Sequence, residues 1–245
     1  MPDSDATRPS RAIRGVLFDK DGTLLDYAAT WMSANRAAAL AAAGGDRELG
    51  ERLLVIGGYD PDRDRVGANT ALAAGNATEI AAIWLPHVNG WEPRDLADLL
   101  DRIFEEESQA QATPVTELAP LFARLKRRGL KLGVATNDSQ RGIEATLGPF
   151  AVLDLLDFAA GYDSGHGFKP DPGMVHGFCV RTGLEPAEVA VVGDNWHDLE
   201  MGQRAGAGLV VGVLTGTGDR AGLATLADHV LDGIQDLEAL LDSLA

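Results

Sequence analysis

Five segments of this chain run through apolar or small residues and then stop on polar ones: 13–19, 130–137, 157–163, 189–194 and 209–215. Near-continuous apolar runs of this length suit strands covered on both faces, as in a parallel sheet. Helical spacings lie between them. Leu118, Leu121, Phe122 and Leu125 recur at i, i+3, i+4 and i+7, with Pro114 ahead, Lys126-Arg127-Arg128 in the last turn and Gly129 as a stop. Segments 174–181 and 199–205 read as two more helices, ended near Gly183 and Gly206. Strand alternating with helix predicts right-handed βαβ units and an α/β, Rossmann-like parallel sheet.

One stretch breaks the alternation. Residues 26–113 read as helical: an Ala-rich run over 34–43 closed by Gly44-Gly45, then Leu49, Leu53 and Leu54, then an amphipathic helix marked by Leu96, Leu99, Leu100, Ile103 and Phe104. The Glu105–Ser108 continuation is expected to be a solvated acidic end. An all-helical block placed after the first strand predicts a smaller second domain over 26–113, with 1–25 and 114–245 forming the main domain.

Charge and cysteine usage narrow the partners. With 37 acidic against 21 basic side chains, the formal net charge is −16. Such a surface argues against nucleic acid, whose phosphates need a positive footprint. An anionic substrate must instead meet local positive charge, such as a metal or a lone lysine. Cys179 is the one cysteine, so no intrachain disulfide can form. The first eleven residues are polar with no apolar signal core, and no run of 18 apolar residues occurs. The expectation is a cytoplasmic protein, monomer or homodimer, with no membrane and no nucleic-acid partner.

The residues suited to chemistry all fall at carboxyl ends of the expected strands or just beyond. Asp19 and Asp21 close the first strand, within GVLFDKDGTLLD (15–26); Thr136 and Asn137 close the second; Lys169 follows the third; Asp194 closes the fourth, with Asp198 shortly after. Open α/β sheets bind ligands outside that edge, so these residues are expected to converge. Carboxylates at Asp19, Asp194 and Asp198 repel one another unless a hard cation lies among them, and oxygen ligands suit Mg²⁺. A carboxylate can also attack phosphorus, while a lysine, a hydroxyl and backbone N–H groups stabilise the phosphoryl oxygens. Asp21 is placed to give and take the proton. An EF-hand fails, because its sixth and twelfth positions hold Leu24 and Thr30 in place of Gly and Glu. Gly216-Thr217-Gly218 with Ala221 matches a dinucleotide fingerprint but follows the last strand, so it reads as a flexible turn. His176 and Cys179 read as packing on one helix face. Trp31, Tyr59 and Arg65 are candidates to touch substrate, although the helical block must also pack its own core.

FDKDGTL (18–24), VATND (134–138), Lys169 in GFKPDP (167–172) and GDNWHD (193–198) resemble the four ordered motifs of the haloacid dehalogenase superfamily. The helical insertion resembles the cap of its phosphoglycolate phosphatase-like branch. The resemblance implies a sheet of order 5-4-1-2-3 under a mobile cap. It implies Asp19 as nucleophile and Mg²⁺ ligand, and Asp21 as general acid/base with its backbone carbonyl on the metal. It implies Thr136, Asn137 and Lys169 around the phosphate, and Asp194 and Asp198 at Mg²⁺. The expected substrate is a small phosphate ester such as 2-phosphoglycolate. Two positions depart from the pattern: His197 precedes Asp198 where many relatives carry Asn-Asp, and Lys20 is expected to point away from the site by strand alternation. Asp21 favours phosphatase over dehalogenase chemistry, because the superfamily's dehalogenases lack this acid. The phosphonate hydrolases of the superfamily use a cap lysine, and 26–113 contains none. A phosphomutase of the β-phosphoglucomutase type shares the core motifs. A non-catalytic binding module on the same fold would be expected to lose the nucleophile or Lys169.

Overall fold

The computed structural model describes residues 12–244; the N-terminal segment read above for a signal core lies outside the described residues. In chain order, β1 (Gly15–Phe18) leads into a helical insertion of α1 (Tyr27–Ala42), α2 (Arg47–Gly57), a hairpin of β2 (Tyr59–Asp60) and β3 (Arg65–Val66), α3 (Ala71–Ala74), α4 (Ala77–Trp84) and α5 (Pro93–Gln111). The chain then alternates through α6 (Leu118–Arg127), β4 (Lys131–Ala135), α7 (Gln140–Leu147), β5 (Phe158–Ala160), α8 (Gly173–Thr182), β6 (Val189–Gly193) and α9 (Trp196–Ala205). It ends with β7 (Leu209–Val213), α10 (Arg220–Leu223), β8 (His229–Leu231) and α11 (Leu237–Ser243).

The main sheet is parallel, in the order β5-β4-β1-β6-β7-β8. Counted along the chain, the five expected strands take the order 5-4-1-2-3. The sheet differs in its sixth strand, β8, which extends the edge beyond β7 and carries no long apolar run to announce it. Each strand is also shorter than its apolar segment, because the polar residues at its end leave the ladder, and those residues build the site.

Side-chain alternation along β1 divides the core. Val16 and Phe18 pack on one face with Leu121, Phe122 and Leu125 of α6 and Leu237 of α11. Leu17 packs on the other with Phe178 of α8 and Met201 of α9. Phe18 and Phe122 stack with centroids 5.4 Å apart. Full burial of such side chains contributes about 2–3 kcal/mol each. Cys179 belongs to the second layer, as expected, but His176 is exposed. The i, i+3 spacing leaves them about 60° apart around the helix, enough to turn the imidazole outward.

The helical insertion has its own core, in which Ala34, Ala38 and Ala42 of α1 pack with Trp84, Leu96, Leu100 and Phe104. Small residues on α1 let α5 approach closely. The insertion is not all-helical, because β2 and β3 pair antiparallel. Gly58 ends α2 at φ +113, where an added Cβ would meet Thr70 at 2.1 Å, and that turn admits the hairpin. The 105–108 stretch is not uniformly solvated either: Ser108 is buried, and Glu105 pairs with Arg141 at 2.8 Å. The chain enters and leaves the insertion side by side. The Asp26 N–H donates to Thr113 O at 2.8 Å, and the Val115 N–H donates to Leu24 O at 3.0 Å.

Candidate active site

Asp19, Asp21, Thr136, Asn137, Lys169, Asp194 and Asp198 line one cavity of about 60 Å³ between the carboxyl edge of the sheet and the helical insertion. Asp19 stands one residue past β1, and its N–H still donates to Val192 O at 2.8 Å, which fixes it against β6. The chain then bends sharply, with the Leu24 and Leu25 N–H groups both donating to Lys20 O. Gly22 lies at φ +89, and a Cβ there would sit 2.6 Å from the Asp194 carboxyl carbon, so only glycine fits.

Lys169 Nζ donates to Asp19 Oδ1 and to Asp198 Oδ1, both at 2.6 Å. The second oxygen of Asp19, Oδ2, is buried without a hydrogen-bond partner. The carboxylates of Asp19, Asp194 and Asp198 each offer an oxygen within 4.8 Å of the others, and all three residues are buried. Burial, opposed by Lys169 and reinforced by Asp198 and Asp21, pushes the Asp19 carboxyl up to about 7. Burial and the charges of Asp19 and Asp198 drive Asp194 well above the usual carboxylate range. Burial by itself would lower the Lys169 ammonium, but the charges of Asp19 and Asp198 outweigh it and raise it. One lysine faces three buried carboxylates, an excess of negative charge that a bound cation would relieve.

The turn after β7 takes part in this cluster. The Thr217 N–H donates to Asp194 Oδ2 at 2.7 Å, and Asn195 Nδ2 donates to Thr217 Oγ1 at 3.0 Å. A Cβ on Gly216 would fall 2.0 Å from Asp194 Oδ2, and one on Gly218 would fall 2.1 Å from Asp194 O. Gly216-Thr217-Gly218 is therefore a close-approach turn that orients Asp194, where the sequence suggested only flexibility. A glycine pair directly after a buried strand was the available signal.

Asp198 is held from two sides. Its Oδ1 accepts from Lys169, and its Oδ2 accepts from the Asn195 N–H at 3.0 Å, in a capping box at the start of α9. His197 instead lies on Trp196, with ring centroids 3.8 Å apart, and its Nδ1 is 3.3 Å from Asn195 Oδ1. Burial lowers its pKa. The His-Asp departure therefore leaves Asp198 oriented by Lys169 and the Asn195 backbone. Thr136 is buried at the end of β4, its Oγ1 accepting from the Asp138 N–H at 3.1 Å. The Asn137 amide is occupied by backbone groups: Nδ2 donates to Ala74 O at 2.8 Å, and Oδ1 accepts from the Lys169 N–H at 2.8 Å.

Lys20 does not point away. It is fully buried, with Nζ 2.8 Å from Asp21 Oδ2 and 3.0 Å from Asp138 Oδ2. Alternation fails here because β1 ends at Phe18, and Lys20 already belongs to the bend. Burial opposes the Lys20 charge, but Asp138 and Asp21 outweigh it and raise the pKa. Asp21 is also gripped by the insertion, with Trp31 Nε1 donating to its Oδ1 at 2.6 Å.

Trp31 thus touches the site, together with Asn35, Leu72, Ile80 and Phe104 of the insertion. Tyr59 and Arg65 do not. Tyr59 bonds Asp64 at 2.6 Å, and Arg65 is exposed on the hairpin. Sequence reading missed Asp101 of α5, which also lines the cavity and accepts from Tyr162 Oη at 2.5 Å.

Comparison with known proteins identifies the family and the fold. A family model described as haloacid dehalogenase-like hydrolase matches residues 13–206. An N-acetylmuramic acid 6-phosphate phosphatase of Pseudomonas aeruginosa is 27% identical over 196 residues, 79% of each chain. A phosphoglycolate phosphatase of Escherichia coli is 29% identical over 203 residues, again 79% of each. Among solved structures, CbbY from Rhodobacter sphaeroides in complex with phosphate superposes with a TM-score of 0.68 at 24% identity, covering 94% of this chain and 99% of that one. A hydrolase from Pseudomonas syringae gives 0.68 at 22%, covering 95% and 99%. These likenesses establish the shared fold, and the family match spans most of the sequence. The chain belongs to the haloacid dehalogenase-like hydrolases.

Proposed function

We propose that this hydrolase is a Mg²⁺-dependent phosphomonoesterase that works through an aspartyl-phosphate on Asp19. The observation that carries the reading is the state of Asp19: one oxygen held by Lys169, the other buried and without a partner. A carboxylate so fixed is an oriented nucleophile. It attacks phosphorus while the bond to the leaving oxygen breaks, and Asp21 gives that oxygen its proton. Asp21 then takes a proton from the water that hydrolyses the aspartyl-phosphate, releasing phosphate and restoring Asp19. Lys169 and Thr136 hold the phosphoryl oxygens, and Asn137 positions Lys169 through its backbone N–H.

The donor set suits Mg²⁺, with all-oxygen ligands, three buried carboxylates and an orphaned oxygen among them. Asp19, Asp194, Asp198 and the Asp21 carbonyl would hold the ion, with Asp198 also bonded to Lys169. When bound, the ion neutralises charge on the phosphoryl group. The helical insertion, 26–113, acts as the cap that excludes water.

The curated relatives are named for small phosphorylated metabolites, which supports that substrate class. The resemblance suggests 2-phosphoglycolate as a substrate. We assign the work to the cytoplasm, in keeping with Cys179 being a free thiol. The test is phosphate release from p-nitrophenyl phosphate with Mg²⁺, with chelator and with Asp19→Asn. The expected result is metal-dependent release reduced at least about 10³-fold by the substitution. Release unaffected by Asp19→Asn would overturn the reading.

A further inference from the structure

The cavity's charges are distributed unevenly. Among the described residues, its lining holds one lysine, Lys169, and no arginine. That lysine is bonded to Asp19 and Asp198, at the phosphoryl end. The wall contributed by the helical insertion carries Trp31, Leu72, Ile80, Phe104, Asn35 and one charged group, Asp101. None of the seven arginines of the insertion lines the cavity: Arg36 bonds Tyr59 and Asp64, Arg52 pairs with Glu48, Arg63 with Asp60 and Arg94 with Asp98, and Arg47, Arg65 and Arg102 are likewise absent from the lining. A substrate with a second anionic group therefore finds no cation on this wall.

Asp101 adds a preference of its own. Its Oδ2 accepts from Tyr162, and Oδ1 has no hydrogen-bond partner among the described residues. We propose, building on the phosphatase reading, that the substrates are phosphate monoesters of small alcohols bearing no acidic group, with amino alcohols favoured through Asp101. The apolar wall receives the methylene groups of the alcohol. An ammonium placed on that wall would meet the free carboxylate oxygen, whereas a carboxylate there would meet like charge in a desolvated space. Burial pushes the Asp101 carboxyl up to about 6, with Tyr162 opposing and Asp138, Asp163 and Asp98 adding to the rise. A cation alongside would hold it ionised.

Three two-carbon esters isolate the effect, because they differ only in the terminal group: phosphoethanolamine, 2-hydroxyethyl phosphate and 2-phosphoglycolate. Each is assayed for kcat/KM with the Mg²⁺-loaded full chain, with p-nitrophenyl phosphate run in parallel. The expected order is amine, then hydroxyl, then carboxylate, with at least about tenfold between the first and last. Asp101→Asn, which can still accept from Tyr162, should compress that ratio at least threefold. The order on the unsubstituted protein stands as a test whether or not the variant folds. If p-nitrophenyl phosphate is hydrolysed and 2-phosphoglycolate is the best of the three, the substrate proposal falls and the phosphatase reading survives. A ratio unmoved in folded Asp101→Asn overturns the role of that residue. Hydrolysis of none of the four esters overturns both readings.

Discussion

Replacing Lys20 with methionine should destabilise the protein severely, although the lysine lies outside the expected set of site residues. Methionine roughly fills the volume and removes the charge. What remains are two carboxylates, Asp21 and Asp138, that had faced one ammonium at 2.8 and 3.0 Å in a fully buried position. Breaking a buried ion pair from one side costs about 3–5 kcal/mol, because the abandoned charge stays desolvated. The lysine also lies 5.2 Å from the Trp31 ring centroid, a smaller contribution lost with it. For a chain of this size each kcal/mol moves Tm by about 2–4 °C, so a fall of at least ~6 °C is expected. The sign with pH follows from Asp138, whose folded-state pKa is raised by burial, with Lys20 opposing. Without Lys20 that pKa rises further. A carboxyl with a raised folded pKa is destabilising when ionised, so the deficit is full above the folded pKa and shrinks as pH falls through it. Urea denaturation of Lys20→Met and the unsubstituted protein at pH 7.5 and pH 5 measures this directly. Lys20→Met/Asp138→Asn should recover at least about 1 kcal/mol at pH 7.5. A single variant within about 1 kcal/mol of the unsubstituted protein at pH 7.5 would refute the argument that the lysine is an essential buried counter-ion.

Gly216→Ala pushes a Cβ into Asp194 Oδ2 and disturbs the Thr217 hydrogen bond. The Mg²⁺ concentration for half-maximal activity should rise about tenfold, and an unchanged value would count against the orienting role of this turn. At Asp157, burial would raise the pKa, but hydrogen bonds from Lys126, the Leu132 N–H and Lys131 outweigh it and lower it. Stability from this cluster is therefore present above the unfolded carboxyl pKa and lost as pH falls through the folded one. Allowing for screening at a part-buried group, Asp157→Asn should cost about 0.5–1 kcal/mol at pH 7 and nothing near pH 2, read from denaturant midpoints. Burial, with Glu185 and Glu188 adding, pushes the Cys179 thiol up to about 11. Ellman's reagent at pH 8 should label it only after denaturation, and rapid labelling of the folded protein would contradict its place in the core.

The strands were legible because each has to be apolar on both faces, as Val16, Leu17 and Phe18 are. Asp19, Thr136 and Asp194 were legible as candidates because each stands just past the end of a strand. What escaped depends on docking. β8 is half-exposed and gives no apolar run. Asp101 sits on the polar side of a helix whose pattern marks only its apolar side. Its role depends on α5 lying over Tyr162, a pairing across 61 positions that no local spacing encodes. Lys20 was misread for a different reason: a two-residue period was carried beyond the last rung of β1. Asn137 lines the cavity, but its amide partners, Ala74 and Lys169, come from two remote segments.

The paired entry and exit of the insertion also bear on how the chain reaches its fold. β1 pairs with β4 in a register that joins Gly15 to Lys131, a contact with a large loop-closure entropy if everything between is slack. The insertion has an interior of its own, and its two ends meet at the Asp26–Thr113 hydrogen bond. Once it has collapsed, the sheet experiences the whole excursion as a short turn from Leu25 to Pro114, which are themselves paired. The effective separation of β1 and β4 then becomes that of an ordinary strand–helix–strand crossover. The same geometry makes the insertion exchangeable in evolution, since any segment whose ends close at that point leaves the register of the sheet intact.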